Sequence, residues 1–174
     1  LFFWRGIQPL IKYFVSVKLY QPFDFLTESQ MRDVLSTAVQ EGIGTQQIKN
    51  QQGDLHRNSR ISWYRKTHHN HKWLEIFNSI DPAVEWIETP QVAFYKPGEY
   101  YDWHTDERHD SQRSYIRKFT LVANIHSAPG AGLEIKDRPS IELGIGQAVI
   151  FPSMDQHRAV TPEEGERVSL TMWA

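Results

Sequence analysis

The stretch Tyr100-Tyr101-Asp102-Trp103-His104-Thr105-Asp106 decides how the rest of the chain is read. Its aromatic content favours a β-strand, in which successive side chains point to opposite faces. As one strand through residue 106, it projects His104 and Asp106 into the same space and turns Thr105 away. The same parity sends Trp103 outward, and Tyr101 as well unless a bulge intervenes. Two metal ligands are in hand, and the chain must be searched for a third.

His157 is the candidate. It closes Phe151-Pro152-Ser153-Met154-Asp155-Gln156-His157, after an apolar strand and a Pro-containing turn. Two imidazoles and one carboxylate on one side of a metal make a facial triad that leaves positions open for substrate and dioxygen. The same donors also suit catalytic zinc, although the chain has no H-E-x-x-H helix. The last strand adds a second clue: Arg167, Ser169 and Thr171 alternate with Val168, Leu170 and Met172. With the apolar face on helices, the polar face lines a barrel interior. A guanidinium offers two parallel donors matched to a carboxylate, and Ser169 adds a hydroxyl. A metal with open positions beside such a clamp describes a pocket for a keto-dicarboxylate.

The chain of 174 residues is long enough for one domain with a sizeable core, and its net charge of −2 draws it to neither nucleic acid nor membrane. The absence of cysteine removes disulfides, thiolate zinc sites and cysteine nucleophiles, and suits a cytoplasmic protein. The apolar start, from Leu1-Phe2-Phe3-Trp4 to Val15, is interrupted by Arg5, Gln8, Pro9 and Lys12. It falls short of the roughly 18 apolar residues of a membrane span and reads as a packing strand or helix. No small-residue cleavage site marks it as a signal peptide. The chain does not open on Met, so residues before Leu1 are expected in the natural protein.

Thr27-Glu28-Ser29-Gln30 is a capping box, and Met31, Val34, Leu35, Ala38 and Val39 follow with helical spacing until Gly42. Residues 43–57 are polar and read as a loop or an irregular edge ribbon. A short strand over 60–64 and a helix over about 70–80 follow, the latter carrying Trp73, Leu74, Phe77 and Ile80 on one side. After Pro90 the pattern is of strands: 92–95, 100–106, 117–126, 133–135, 141–143, 147–151, 158–160 and 167–173. Residues 107–116 read as a charged flap able to close over substrate. Residues 1–89 are thus expected to give helical and edge-strand support to a β barrel over 90–174, within one domain.

The residues Tyr95-x-Pro97-Gly98-x-x-Tyr101-x-x-His104-x-Asp106, the run 130–135, Ile150-Phe151-Pro152-Ser153 before His157, and Arg167-x-Ser169 together resemble the Fe(II)- and 2-oxoglutarate-dependent dioxygenases, in their prolyl 4-hydroxylase-like branch. The resemblance implies a double-stranded β-helix (jelly-roll or cupin-like) with iron on His104, Asp106 and His157. It implies 2-oxoglutarate on Arg167 and Ser169, with Tyr95 beside it and Asn124 lending a polar group to the same carboxylate. Dioxygen is the other cosubstrate, and ascorbate the expected reductant. The reaction implied is hydroxylation of a peptidyl residue, proline first, with release of succinate and CO2, by a monomer or homodimer. The chain departs from the branch in carrying Arg167 where lysine is common, and Gly-Ala-Gly for Gly-Gly. A free amino acid or other small molecule is the alternative substrate, and a non-enzymatic metal-binding barrel the alternative class.

Arg60, Trp63 and Tyr101 are candidates to line a substrate groove. Thr120, Asn124 and His126 share a strand face by parity. His56 and His109 receive no role, and His68-His69-Asn70-His71, at a helix start, reads as a solvated loop.

Overall fold

The computed structural model describes residues 17–107 and 116–174. The apolar start and most of the charged flap, with His109, lie outside the described residues. Twelve elements follow in order: β1 (Phe23–Asp24), α1 (Glu28–Glu41), β2 (Gly44–Lys49), β3 (Leu55–Trp63), α2 (Asn70–Ile80), β4 (Gln91–Tyr95), β5 (Tyr100–His104), β6 (Phe119–His126), β7 (Gly132–Ile135), β8 (Gln147–Pro152), β9 (His157–Val160) and β10 (Arg167–Trp173).

The strands form one antiparallel sheet in the order β1-β8-β6-β10-β4-β3-β5-β9-β7, with β2 paired to β3. The sheet curls into a half-barrel, because β3, β4, β5, β6, β9 and β10 all line one cavity. The central strands are buried on both faces, and their alternation sorts two cores. Val92, Phe94, Leu121, Ala123, Ile150, Leu170 and Met172 face outward onto Val34 and Ala38 of α1 and Trp73 and Phe77 of α2. Val122, Leu133, Ile135, Val149 and Phe151 pack on the other side. At roughly 25 cal/mol per Å² of apolar surface removed from water, the helix-facing core dominates the stabilisation.

Thr27 caps α1 through a complete capping box: Gln30 N–H donates to the Thr27 hydroxyl, and Thr27 N–H to Gln30 Oε1. Gly42 ends the helix at φ 89°, a backbone that side-chain-bearing residues rarely adopt. α2 spans the expected residues.

Three features sharpen, change or add to the expectations. Of the loop and the irregular edge ribbon expected over 43–57, the structure shows the ribbon: β2 with the start of β3 forms a hairpin in which Gly44 pairs with Ile61 and Ile48 with Arg57, the register shifting between Ile48 and Lys49. Its polar side chains suit an edge strand with exposed alternate positions. Residues 141–143 form only an isolated bridge from Ile141 to Leu133. The short β1 pairs with β8. Among the described residues no helix is long and apolar enough to cross a membrane.

Candidate active site

The candidate metal ligands arrive from two adjacent strands and one loop. His104 ends β5, His157 begins β9, and the two are cross-strand partners. Asp106 lies beyond β5 rather than within it, so strand parity does not place it. Its backbone does: the Asp106 and Glu107 N–H groups both donate to the Ser153 carbonyl, at 2.8 and 3.0 Å. The β5–β9 register shifts between Tyr101 and His104. That irregularity brings the Tyr101 ring flat against His104, with centroids 3.4 Å apart and planes 9° from parallel. Trp103 keeps its outward parity, beneath the Arg158 guanidinium.

One ligand atom from each of His104, Asp106 and His157 lies within 4.8 Å of the others. His104 Nε2 is 3.7 Å from Asp106 Oδ1, and His157 Nε2 is 3.3 Å from Asp106 Oδ2. His104 Nδ1 meets the Asp102 carbonyl at 2.7 Å and His157 Nδ1 the Asp155 carbonyl at 3.0 Å. A carbonyl only accepts, so each Nδ1 donates, and each Nε2 is the nitrogen left to face the Asp106 carboxylate and a metal.

The carboxylate has its own support. Thr120 donates to Asp106 Oδ2 at 3.0 Å, and the Ser153 hydroxyl stands 2.9 Å from Thr120 Oγ1. Burial alone would raise the Asp106 pKa. The imidazoles of His157 and His104 outweigh it and hold the group well below the usual carboxylate range, helped by the nearby indole N–H of Trp173, which makes no well-formed hydrogen bond. Burial, reinforced by His157, lowers His104 to about 4. Two imidazoles whose Nε2 atoms converge on one carboxylate are the donor set of a facial triad, so these residues fit Fe(II).

The wall behind them carries the arginine. Arg167, Ser169 and Thr171 line the cavity with Tyr95, and Val168, Leu170 and Met172 turn to the helices. Arg167 is 4% exposed, and among the described residues no group accepts a hydrogen bond from its guanidinium, which lies 5.5 Å from the Tyr95 ring centre. Burial lowers its pKa, yet a guanidinium stays charged. A buried cation without an anion is costly, and a bound carboxylate removes that cost. The site therefore also fits 2-oxoglutarate.

Asn124 is placed differently from the expectation. Its amide donates to Ser127 Oγ at 2.6 Å and to the Leu143 carbonyl at 2.9 Å, leaving Oδ1 buried and unpaired. It faces a neighbouring cavity that Arg167 also reaches. A carbonyl oxygen repels a carboxylate, so Asn124 offers that group no donor. His126 is exposed and bonds the Glu166 carbonyl.

Of the groove candidates, Trp63 and Tyr101 line the cavity and Arg60 does not. Arg60 grips Glu99 with two nitrogens and reaches Glu166 at 2.7 Å. Arg57, two strand positions from Ser59, is a cavity residue that sequence reasoning missed. It donates to Ser59 Oγ and Gln91 Oε1, both at 2.8 Å, and lies 4.5 Å from the Tyr101 ring centre. Reading 43–57 as a loop or an irregular edge ribbon left the parity that turns it inward unassigned. Arg117 also lines the cavity, but Glu88 neutralises it through two 2.6 Å bonds.

A curled antiparallel sheet holding two imidazoles and a carboxylate beside a buried arginine defines a jelly-roll metal site of the oxygenase class. Residues 90–174 match the family model of the 2OG-Fe(II) oxygenase superfamily, and this segment belongs to that family, which uses Fe(II), 2-oxoglutarate and O2. A PKHD-type hydroxylase of Psychrobacter sp. (strain PRwf-1) is 31% identical over 97 residues, 50% of this chain and 38% of that protein. The chain thus spans well under half the length of this relative.

Among solved structures, the viral collagen prolyl hydroxylase of Paramecium Bursaria Chlorella virus-1 superposes with a TM-score of 0.68 at 23% identity, covering 90% of this chain and 95% of that one. A Pseudomonas putida prolyl-4-hydroxylase gives 0.64 at 20% identity, covering 88% and 90%. At these identities the likeness establishes the jelly-roll fold.

Proposed function

We propose that the chain is an Fe(II)- and 2-oxoglutarate-dependent dioxygenase that hydroxylates a peptidyl residue, with proline the first candidate. The observation that carries this reading is the uncompensated, buried Arg167 on the wall of the cavity that holds His104, Asp106 and His157. When bound, the metal and cosubstrate supply oxidative decarboxylation coupled to C–H hydroxylation, with succinate and CO2 as products.

The chain's own residues bind and orient. His104, Asp106 and His157 hold Fe(II) on one side. Arg167, with Ser169 and Tyr95, receives the far carboxylate of 2-oxoglutarate. Trp63, Tyr101 and Arg57 line the remaining wall and are assigned to the substrate. The prolyl hydroxylases that share the fold support a peptidyl substrate. Residues 17–89 act as helical and edge-strand support for a single domain, and the lack of cysteine favours a reducing, cytoplasmic setting.

The test is succinate formation from 2-oxoglutarate with Fe(II) and ascorbate, with and without proline-containing peptides. Peptide-stimulated turnover is expected. Stimulation by free amino acids alone assigns a small-molecule substrate. Absence of both turnover and 2-oxoglutarate binding removes the oxygenase reading.

A further inference from the structure

A second cluster with the same donor set lies outside the cavity lining. Asp33 belongs to α1, while His68 and His69 form the turn that leads into α2. His68 Nε2 and His69 Nε2 stand 3.6 and 3.9 Å from the same oxygen, Asp33 Oδ2, and the three ligand atoms lie within 4.8 Å of one another. Those separations are too long for hydrogen bonds. They suit ligands converging on one ion, since bonds of about 2.0–2.1 Å at tetrahedral angles put neighbouring ligands about 3.4 Å apart.

The candidate iron site offers an internal standard. There the imidazole–carboxylate separations are 3.7 and 3.3 Å and the imidazole centroids are 4.2 Å apart. The His68 and His69 centroids are 4.0 Å apart. The two clusters match in donor type and nearly in spacing.

The surroundings hold the ligands in place. The Tyr64 hydroxyl donates to Asp33 Oδ2 and Lys66 Nζ to Oδ1, both at 2.6 Å, contacts of the kind that orient a ligating carboxylate. Tyr64 is itself buried, and the His69 ring lies within 15° of parallel to it. His69 is the N-cap of α2 yet makes no side-chain capping bond, so its ring is free of the usual duty of that position. Burial, and then His68, lower the His69 pKa toward the neutral form that ligates. His71 takes no part; it is exposed and faces Glu75.

We propose that Asp33, His68 and His69 bind a divalent transition ion of the zinc type, with water in the fourth position, tying α1 to the start of α2. The site shares no residue with the cavity, so it stands whether or not the oxygenase reading does.

The test is Co(II) titration of the metal-free protein, read by equilibrium dialysis and by the intense visible absorption of tetrahedral Co(II). The intact chain is expected to bind two ions. His68→Gln combined with His69→Gln should bind one and lose the tetrahedral band, whereas His104→Ala combined with His157→Ala should bind one and keep it. His68→Gln alone, at a side chain 54% exposed, preserves the fold and should weaken the second ion at least tenfold. An intact chain that binds no more ions than the protein lacking His68 and His69, or a tetrahedral band and affinity unchanged by their loss, overturns the proposal.

Discussion

His104 and His157 stand directly opposite one another across the β5–β9 ladder, and each anchors its Nδ1 on the carbonyl two residues before it. The ladder sets the distance between the rings, and the two carbonyls set which nitrogen is free. Neither depends on a metal. A site built this way is preorganised, so loss of a ligand changes affinity more than it changes the fold.

Asp106→Ala tests that separation. It removes the anionic ligand and also the partner of Thr120 and His157. Loss of an outer partner costs roughly 10–100-fold in metal affinity, and loss of the ligand itself is expected to exceed that. Fe(II) or Co(II) binding to the metal-free protein is the measurement, with circular dichroism confirming a retained sheet.

Thr120→Val is the gentler change. Thr120 is fully buried, and valine fills nearly the same space without the hydroxyl. The expected result is a fall in metal affinity of roughly 10–100-fold. The loss of folding stability should be only about 0.5–1.5 kcal/mol, the worth of one hydrogen bond. Equal metal binding in the two proteins would show that the Asp106 contact has no orienting role.

Arg167→Met separates cosubstrate from metal. The variant should bind Fe(II) nearly as well as the parent and lose 2-oxoglutarate binding by at least about 100-fold, since two charge-assisted bonds disappear. It should also be no less stable than the parent without ligand, because a buried and unpaired cation is removed. The parent alone should gain thermal stability with 2-oxoglutarate, about 2.7 kcal/mol at a hundredfold excess over Kd. A parallel loss of iron and 2-oxoglutarate would argue against the clamp.

Much of this was legible in the sequence, for definite reasons. The alternation Arg167-Val168-Ser169-Leu170 reads directly as a strand with a cavity face and a helix face, and the structure orients it so. The capping box of Thr27 and Gln30 is a local signal and forms in full. Asp106 was paired with His104 on strand parity, whereas it is held by the Ser153 carbonyl, a long-range bond that no local pattern encodes. Arg60 was drawn to the groove as an arginine on a strand. Its parity is set by pairing with Phe94, which faces the helices, so it meets Glu99 and Glu166 instead. Asp33, far in sequence from His68 and His69, could not be joined to them before α1 was docked.

The Arg60 network predicts an acid limb in stability. Burial raises the Glu99 pKa, but the hydrogen bonds from Arg60 and from the Lys96 N–H outweigh it, and the net shift is downward from 4.5. A carboxylate depressed in the folded state contributes stability that is fully present above its unfolded pKa and is lost as pH falls through the folded one. Urea midpoints should therefore decline as pH drops below 4.5, and Arg60→Met should flatten that decline. A decline of the same steepness in the variant would assign it to other carboxylates.

Arg57→Met addresses the substrate wall. Two of the five Arg57 donors are used, both on the neutral groups of Ser59 and Gln91, and among the described residues no carboxylate pairs with it. Its charge is thus available to the cavity it lines, while its guanidinium also supports the Tyr101 ring that stacks on His104. These two roles leave different kinetic traces. If the guanidinium receives an acceptor on the substrate, the variant should raise KM roughly 10–100-fold, matching the 1.5–3 kcal/mol of a charged hydrogen bond. Metal affinity and substrate-free 2-oxoglutarate turnover should then stay within about twofold. If Arg57 serves only as a brace for Tyr101, the stack on His104 loosens, and metal affinity and substrate-free turnover should fall together while KM holds. A buried arginine spent wholly on bracing would be an expensive substitute for an apolar side chain of the same length, which is why we expect the first outcome.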